Sequence, residues 1–287
     1  MQPMKSLWHH AFGDTTKYIR YYFDKKAPRS RVYADYNDVE LVSMMFFTPY
    51  EVYYKGKIIT AEYIVGVATE EKYRYQGKMT KLMKDALEME NDRQIDLVFL
   101  CPENPKVYES LGFVPTYWRE TLYYKAQEEK ANPKTFQARA WKELVGGERK
   151  SVCNFIEAMF AREEFEAYIC HTQEYMDSVN EELEALDGEI LVIKNKGQIV
   201  AVANVILEEN LHQITELICQ PDYASEVLET ILHRRMAKEL IVEDSYFLDA
   251  LEGENVRRLK QKKPYIMARY TDGRPMEPFF CYINDIT

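Results

Sequence analysis

The stretch Tyr63–Leu87, YIVGVATEEKYRYQGKMTKLMKDAL, is the part of the chain whose reading decides the fold. Tyr63–Ala68 is apolar and rich in strand formers, as a buried strand is. A turn, Arg74-Tyr75-Gln76-Gly77-Lys78-Met79, follows. It runs into Thr80–Asn91, where Leu82, Met83, Ala86, Leu87 and Met89 recur at helical spacing. A helix start leaves backbone N–H groups unpaired and partly positive, which suits a pyrophosphate. Gly77 lets the main chain come close to such an anion because no Cβ intervenes, and Arg74 and Lys78 add charge. Neither G-x-x-x-x-G-K-[ST] nor G-x-G-x-x-G occurs, which argues against the common nucleotide loops. An ordinary connection with an incidental glycine is the competing reading of these residues taken alone.

Upstream, Met4–Phe12 reads as a helix broken by Gly13, with Asp14 capping a second helix to about Lys25. Strands are expected at Arg31–Asp35, Glu40–Phe47, Val52–Tyr54 and Lys57–Thr69, the last two flanking the hairpin turn Lys55–Gly56. Downstream, IDLVFLC (Ile95–Cys101) suits a strand buried on both faces. Pro105–Leu111 is a short helix ended by Gly112, and Trp118–Lys125 a final strand. The class is α/β, an α+β mixed sheet.

Residues 126–134, AQEEKANPK, are polar and contain a proline, so they read as a linker. Beyond it come helices at Ala138–Leu144, Ser151–Phe160 and Tyr175–Leu186. A hairpin, Glu189–Ile193 with Gln198–Leu207, precedes strand His212–Cys219, helix Ala224–Leu240 and strand Ser245–Ala250. The similar order of elements suggests a divergent duplication, with domains at 1–127 and 135–287.

Residues 1–130 carry 19 basic and 19 acidic side chains, whereas 131–287 carry 18 and 28, so the net charge of −10 lies in the second half. That balance disfavours nucleic acid and anionic membranes and would favour a cationic ligand; solubility charge on exposed helices is the simpler explanation. No apolar run reaches membrane-spanning length, and the N-terminus lacks the pattern of a secretory signal. Five cysteines are scattered singly, which fits a reducing cytoplasm and offers no zinc or disulfide framework. His9 and His10 are adjacent on a helix and point apart, and His171, His212 and His233 lack ligand spacing, so no metal is expected.

The Tyr63–Leu87 segment resembles motif A of the GNAT acetyltransferases, [Q/R]-x-x-G-x-[G/A], here Arg74-x-x-Gly77-x-Met79. Met79 replaces the usual small residue. Gly66-Val67-Ala68-Thr69 resembles the family's splayed strand that pairs with pantetheine, and IDLVFLCPENPKVYESLGF resembles motif B. The resemblance implies an acetyl-CoA site formed by Val67, Ala68, Thr69, Arg74, Tyr75, Gln76, Gly77, Lys78, Met79, Thr80 and Asn104. It implies Tyr108, which precedes Gly112-Phe113, as the acid beside the thioester sulfur.

A broader similarity to the enhanced-intracellular-survival (Eis) type covers nearly the whole chain. It implies two tandem GNAT-like domains, the second degenerate, and the sequence ends where that family's sterol-carrier-like third domain would begin. After His212–Cys219 the chain reads QPDYASEVLETIL, with no glycine and with Asp222 where phosphate-cradling amides would be needed, so one cofactor site is expected.

The implied reaction is acetyl transfer to a primary amine, a small molecule and in some Eis relatives a polycation. A non-catalytic acyl-CoA-binding or regulatory protein, or a pure interaction module, would be the alternatives. The base is left open among Glu103, an ordered water and the C-terminal carboxylate of Thr287, with Asp285 nearby. Tyr33, Tyr36, Tyr50, Tyr53 and Tyr54 are candidates for an acceptor cleft, although sheet packing accounts for most of them. A homo-oligomer is compatible with all of this.

Overall fold

The computed structural model describes residues 1–127, 135–208, 211–244, 246–259, 263–277 and 279–283. The first half contains α1 (Gln2–Phe12), α2 (Thr16–Tyr21), β1 (Arg31–Asn37), β2 (Glu40–Tyr54), β3 (Lys57–Thr69), α3 (Lys78–Asp92), β4 (Leu97–Leu100), α4 (Pro105–Glu109), β5 (Val114–Arg119) and β6 (Leu122–Lys125). The second contains β7 (Phe136–Ala140), α5 (Gly147–Arg162), β8 (Ala167–Ile169), α6 (Gln173–Ala185), β9 (Glu189–Asn195), β10 (Gln198–Glu208), β11 (Leu211–Cys219), α7 (Ala224–Arg235), β12 (Glu239–Val242), β13 (Val256–Arg258), β14 (Lys263–Tyr270) and β15 (Cys281–Tyr282).

These strands build two mixed sheets, ordered β15-β8-β2-β3-β4-β14-β5 and β13-β6-β12-β11-β10-β9-β7, with β1 pairing part of β2. The two sheets follow one plan. An antiparallel meander (β2–β3, or β10–β11) is followed by a parallel neighbour, β4 or β12. The next strand is then taken from the other half. β14 lies antiparallel between β4 and β5, and β6 lies antiparallel between β12 and β13. One apolar core consequently runs through both sheets, from Tyr63 and Phe99 to Ile193 and Leu217. A second cluster lies under α1 and α2, and a third beneath α3 on the other face of the first sheet.

Several expectations are corrected. Asp14 does not cap the second helix: Thr15 Oγ1 accepts from Tyr18 N at 3.2 Å, while Asp14 accepts from Trp8 Nε1 at 2.6 Å. Glu40–Tyr54 is one strand and not two. Its outer edge pairs with β1 as far as Phe47 and with β8 from Val52, and Pro49 falls in the gap, where no N–H is needed. Trp118–Lys125 is not a single strand, because β5 and β6 belong to different sheets.

Ala138–Leu144 is not a helix: Phe136–Ala140 pairs with β9, followed by a short 3₁₀ turn at Trp141–Glu143. The helix from Ala224 stops at Arg235, capped by Met236 in the left-handed region, so Glu239–Val242 is free to join β11 and β6. Tyr246–Leu248, expected in a strand, is a 3₁₀ turn. Most of the expected linker, 128–134, lies outside the described residues, as do Asp285 and Thr287. Among the described residues no helix is long and apolar enough to cross a membrane, and no group of three or more His, Cys, Asp or Glu is placed to hold a metal.

Candidate active site

β3 pairs with β4 only through Glu62–Ile64 against Val98–Leu100. Beyond Ile64, Val65–Thr69 stays paired with β2, but no described strand lies along its other edge. The register slips between Phe46↔Val65 and Met44↔Ala68, so Gly66 and Val67 form a bulge. A bulge bends and twists its strand, and here it falls where β3 parts from β4. Gly66 has φ +62°, and a Cβ there would lie 2.3 Å from Trp8 Cζ3. Val67, Ala68 and Thr69 therefore offer an open backbone edge at the mouth of a V between the strands.

The chain leaves that edge through a 3₁₀ turn, Glu71–Tyr73, tied back to the sheet by Tyr73, whose hydroxyl donates to Glu40 Oε2 at 3.0 Å. Tyr75 (φ +62°) and Gly77 (φ +72°) are both left-handed, and Gly77 caps α3. No side chain bonds to that helix start, and no acid stands in its first turn. The amides of Lys78, Met79 and Thr80 thus have no intrahelical acceptor. A Cβ built on Gly77 meets nothing within 4 Å, so the space before these amides is open.

The Arg74, Tyr75 and Gln76 side chains are exposed; Arg74 Nε donates to Thr69 O at 3.2 Å and Gln76 Nε2 to Lys72 O at 2.8 Å. Lys78 Nζ lies 3.6 Å from Asp35 Oδ2. Met79 turns its side chain into the core beneath α3, so its bulk does not fill the mouth of the loop.

Asn104 caps α4, its Oδ1 accepting from Lys106 N at 3.2 Å. Tyr108, like Met79, packs against the apolar cluster beneath α3. Its ring meets Phe113 edge-on at 5.9 Å. Burial, with Cys101 and Glu103 adding to it, pushes the phenol up to about 12. It therefore keeps its proton throughout the neutral range. Glu103 is exposed.

Sequence reading missed a buried charge cluster on this face. Glu62 and Glu90 are fully buried, and Arg31 bonds to both, with Nε to Glu90 Oε1 at 2.6 Å. Tyr33 donates to Glu90 at 2.5 Å. Burial pushes Glu62 up to about 7, Arg31 opposing it and Glu90 reinforcing it. The available signal was a lone carboxylate inside the apolar run Ala61–Val65. Of the expected tyrosines, Tyr33 belongs to this cluster, Tyr53 stacks on Tyr168 and Tyr54 bonds to Tyr270.

Tyr50 lines a cleft of about 620 Å³ on the opposite face, floored by the stretch Thr48–Glu51 that neither β1 nor β8 covers. Its ring lies 5.9 Å from Tyr175 on α6 and 6.2 Å from Phe99, next to the last rung before the V. Three carboxylates on the rim are ion-paired: Glu181 with Lys25, Glu174 with Arg29 and Asp177 with Arg149.

The second sheet has the same parting beyond Ile214 and Val242. There the gap is bridged by Arg119, which donates to Thr215 O at 3.0 Å and to Glu243 Oε2 at 3.2 Å and lies 3.5 Å from the Tyr265 ring centre. Asp222 and Glu226 stand before and within the first turn of α7. A second anion seat is thus blocked twice, by charge and by a side chain.

Residues 1–116 match the family profile described as an acetyltransferase (GNAT) domain. A probable N-acyltransferase of unknown function from Enterococcus faecalis V583 matches over 95% of this chain and 70% of its own, with TM-score 0.72 and 18% identity. A GCN5-related N-acetyltransferase from Anabaena variabilis ATCC 29413 matches over 94% and 70%, with TM-score 0.67 and 13% identity. Eis1 from Mycobacterium abscessus matches over 94% and 70%, with TM-score 0.61 and 9% identity. Identities this low show a shared fold, two GNAT-like sheets in tandem. No curated protein matches the sequence.

Proposed function

We propose that residues 1–127 form an acetyl-CoA-dependent N-acetyltransferase domain acting on a primary amine, and that residues 135–287 form a degenerate partner domain. The observation that carries this reading is the start of α3 after Gly77, with no side-chain cap and no acid in its first turn, at the parted end of β3. The pyrophosphate would rest on the amides of Gly77–Thr80, with Arg74, Tyr75 and Gln76 around it. The pantetheine would run along Val67–Thr69, with Asn104 on the facing wall.

The amine nitrogen attacks the thioester carbonyl and the C–S bond breaks. Tyr108 gives its proton to the leaving sulfur, and the nitrogen loses one to a base. That base is Glu103, a water or the C-terminal carboxylate.

The Tyr50–Tyr175 cleft is the proposed acceptor entrance, since Tyr50 reaches from it to Phe99 beside the V. With three of its rim carboxylates already paired, Glu51 is the acid that favours a cationic acceptor; weaker turnover of polyamines in added salt would support that class. The test of the whole reading is thermal. Acetyl-CoA should raise the melting temperature, and Gly77→Asp should abolish the shift by placing a carboxylate before the amides. An undiminished shift in that variant places the site elsewhere. Free-thiol release with a panel of amines separates an enzyme from a protein that only binds acyl-CoA.

A further inference from the structure

We propose that Arg269, on the exchanged strand β14, is a positioning residue for Tyr108, so that the second half of the chain supports the acyl-transfer site of the first. This rests on the acyl-transfer reading above, but one arm of its test does not.

α4 spans only Pro105–Glu109. A helix this short has little stability of its own and depends on what holds its ends. The turn after it is closed onto Tyr108 itself: Leu111 N and Phe113 N both donate to Tyr108 O, at 2.9 and 3.1 Å. The outward carbonyl of that turn, Leu111 O, accepts from Arg269 Nη1. Arg269 also donates through Nε to Tyr270 O at 2.9 Å and through Nη2 to Thr271 O at 3.5 Å. Its guanidinium lies 5.8 Å from the Phe113 ring centre, and Phe113 is the ring on which Tyr108 rests.

The choice of arginine follows from these acceptors. Among the described residues Arg269 makes no ion pair, and its three hydrogen bonds all go to main-chain carbonyls. Burial lowers its pKa, with the charge of Asp272 opposing this only in part, so burying the cation here carries a cost. What a rigid planar fork supplies is simultaneous reach to the end of β14 and to the α4 turn. Arg269 stands opposite Val98 on β4, so the fork refers the position of Tyr108 to the strand that forms one wall of the V.

The test uses the full chain with Arg269→Met and Arg269→Gln, both of which keep a stem and neither of which can fork; if one fails to fold, the other carries the test. kcat for an amine should fall about tenfold while the KM for acetyl-CoA stays within about twofold, because the pyrophosphate loop is untouched. The Tyr108 phenol is followed independently by ¹⁹F NMR of 3-fluorotyrosine-labelled protein, its signal assigned with Tyr108→Phe. Its titration midpoint should fall in both variants as the turn loosens and the ring gains solvent. An unchanged midpoint with kcat within about twofold of wild type overturns the proposal. If no amine is turned over by the wild type but the midpoint still moves, the positioning contact stands and the acyl-transfer reading fails.

Discussion

The indole of Trp8 occupies the place a side chain at residue 66 would need: a Cβ on Gly66 would lie 2.3 Å from Trp8 Cζ3 and 3.0 Å from Phe46 Cδ2. The α1 helix thereby holds the bulge that parts β3 from β4. Gly66→Ala must either displace Trp8 or flatten the bulge, and residue 66 is also at φ +62°. The expected cost is about 2–4 kcal/mol from overpacking and backbone strain together. Calorimetry should show a lowered melting temperature and a reduced shift with acetyl-CoA. A variant as stable as wild type would mean that the bulge is not pinned by α1.

Tyr108→Phe removes the only proton this ring can give while keeping its packing on Phe113. kcat should fall by roughly 10²–10⁴, the usual span for one acid–base group, with acetyl-CoA binding unchanged. Steady-state thiol release and a binding titration measure the two quantities separately. Full turnover would return Tyr108 to a packing role.

Although Arg31 bonds to it, Glu62 makes stability depend on pH in a direction opposite to that of a carboxylate whose pKa is lowered in the fold. Its pKa is raised from 4.5 to about 7, so the fold binds its proton more tightly than the unfolded chain does. The associated stability is complete below about 4.5 and is lost as pH rises through about 7. Glu62→Gln keeps an acceptor for Arg31 without the charge beside Glu90. The melting temperature of this variant should exceed wild type at pH 8, and the gain should vanish by pH 5. A gain independent of pH would show that Glu62 is ionised in the fold throughout.

Arg119→Met should destabilise the fold strongly. It leaves Asp244, which is buried and bonded to Tyr117 at 2.8 Å, without the guanidinium that opposes its raised pKa. Removing one of two opposite charges in a buried setting costs up to about 3–5 kcal/mol. Because Asp244 can take up a proton, the loss in melting temperature should be smaller at pH 5.5 than at pH 8. Acetyl-CoA stoichiometry by calorimetry should remain one per chain, since Asp222 and Glu226 still guard the second helix start.

Much of this protein is fixed by local sequence. The Arg74–Thr80 turn, the α3 periodicity and the buried β4 run were legible because each depends on neighbours within a few residues: a glycine able to take φ > 0, apolar side chains at helical spacing, an unbroken apolar strand. The same reading failed at Ala138–Leu144 and Glu239–Val242, where a partner strand overrode local preference.

What only the tertiary structure decided is which strand completes which sheet. Nothing in LYYK or in KPYIMARY says that each will lie in the sheet of the other half, because any apolar strand of suitable length fits a buried slot between two others. The register of such a slot is set by the edges already present, β4 with β5 and β12 with β13. That exchange places Arg269 at the α4 turn and Arg119 in the second parting. Both contacts join residues more than a hundred positions apart, so their geometry exists only once the chain has folded.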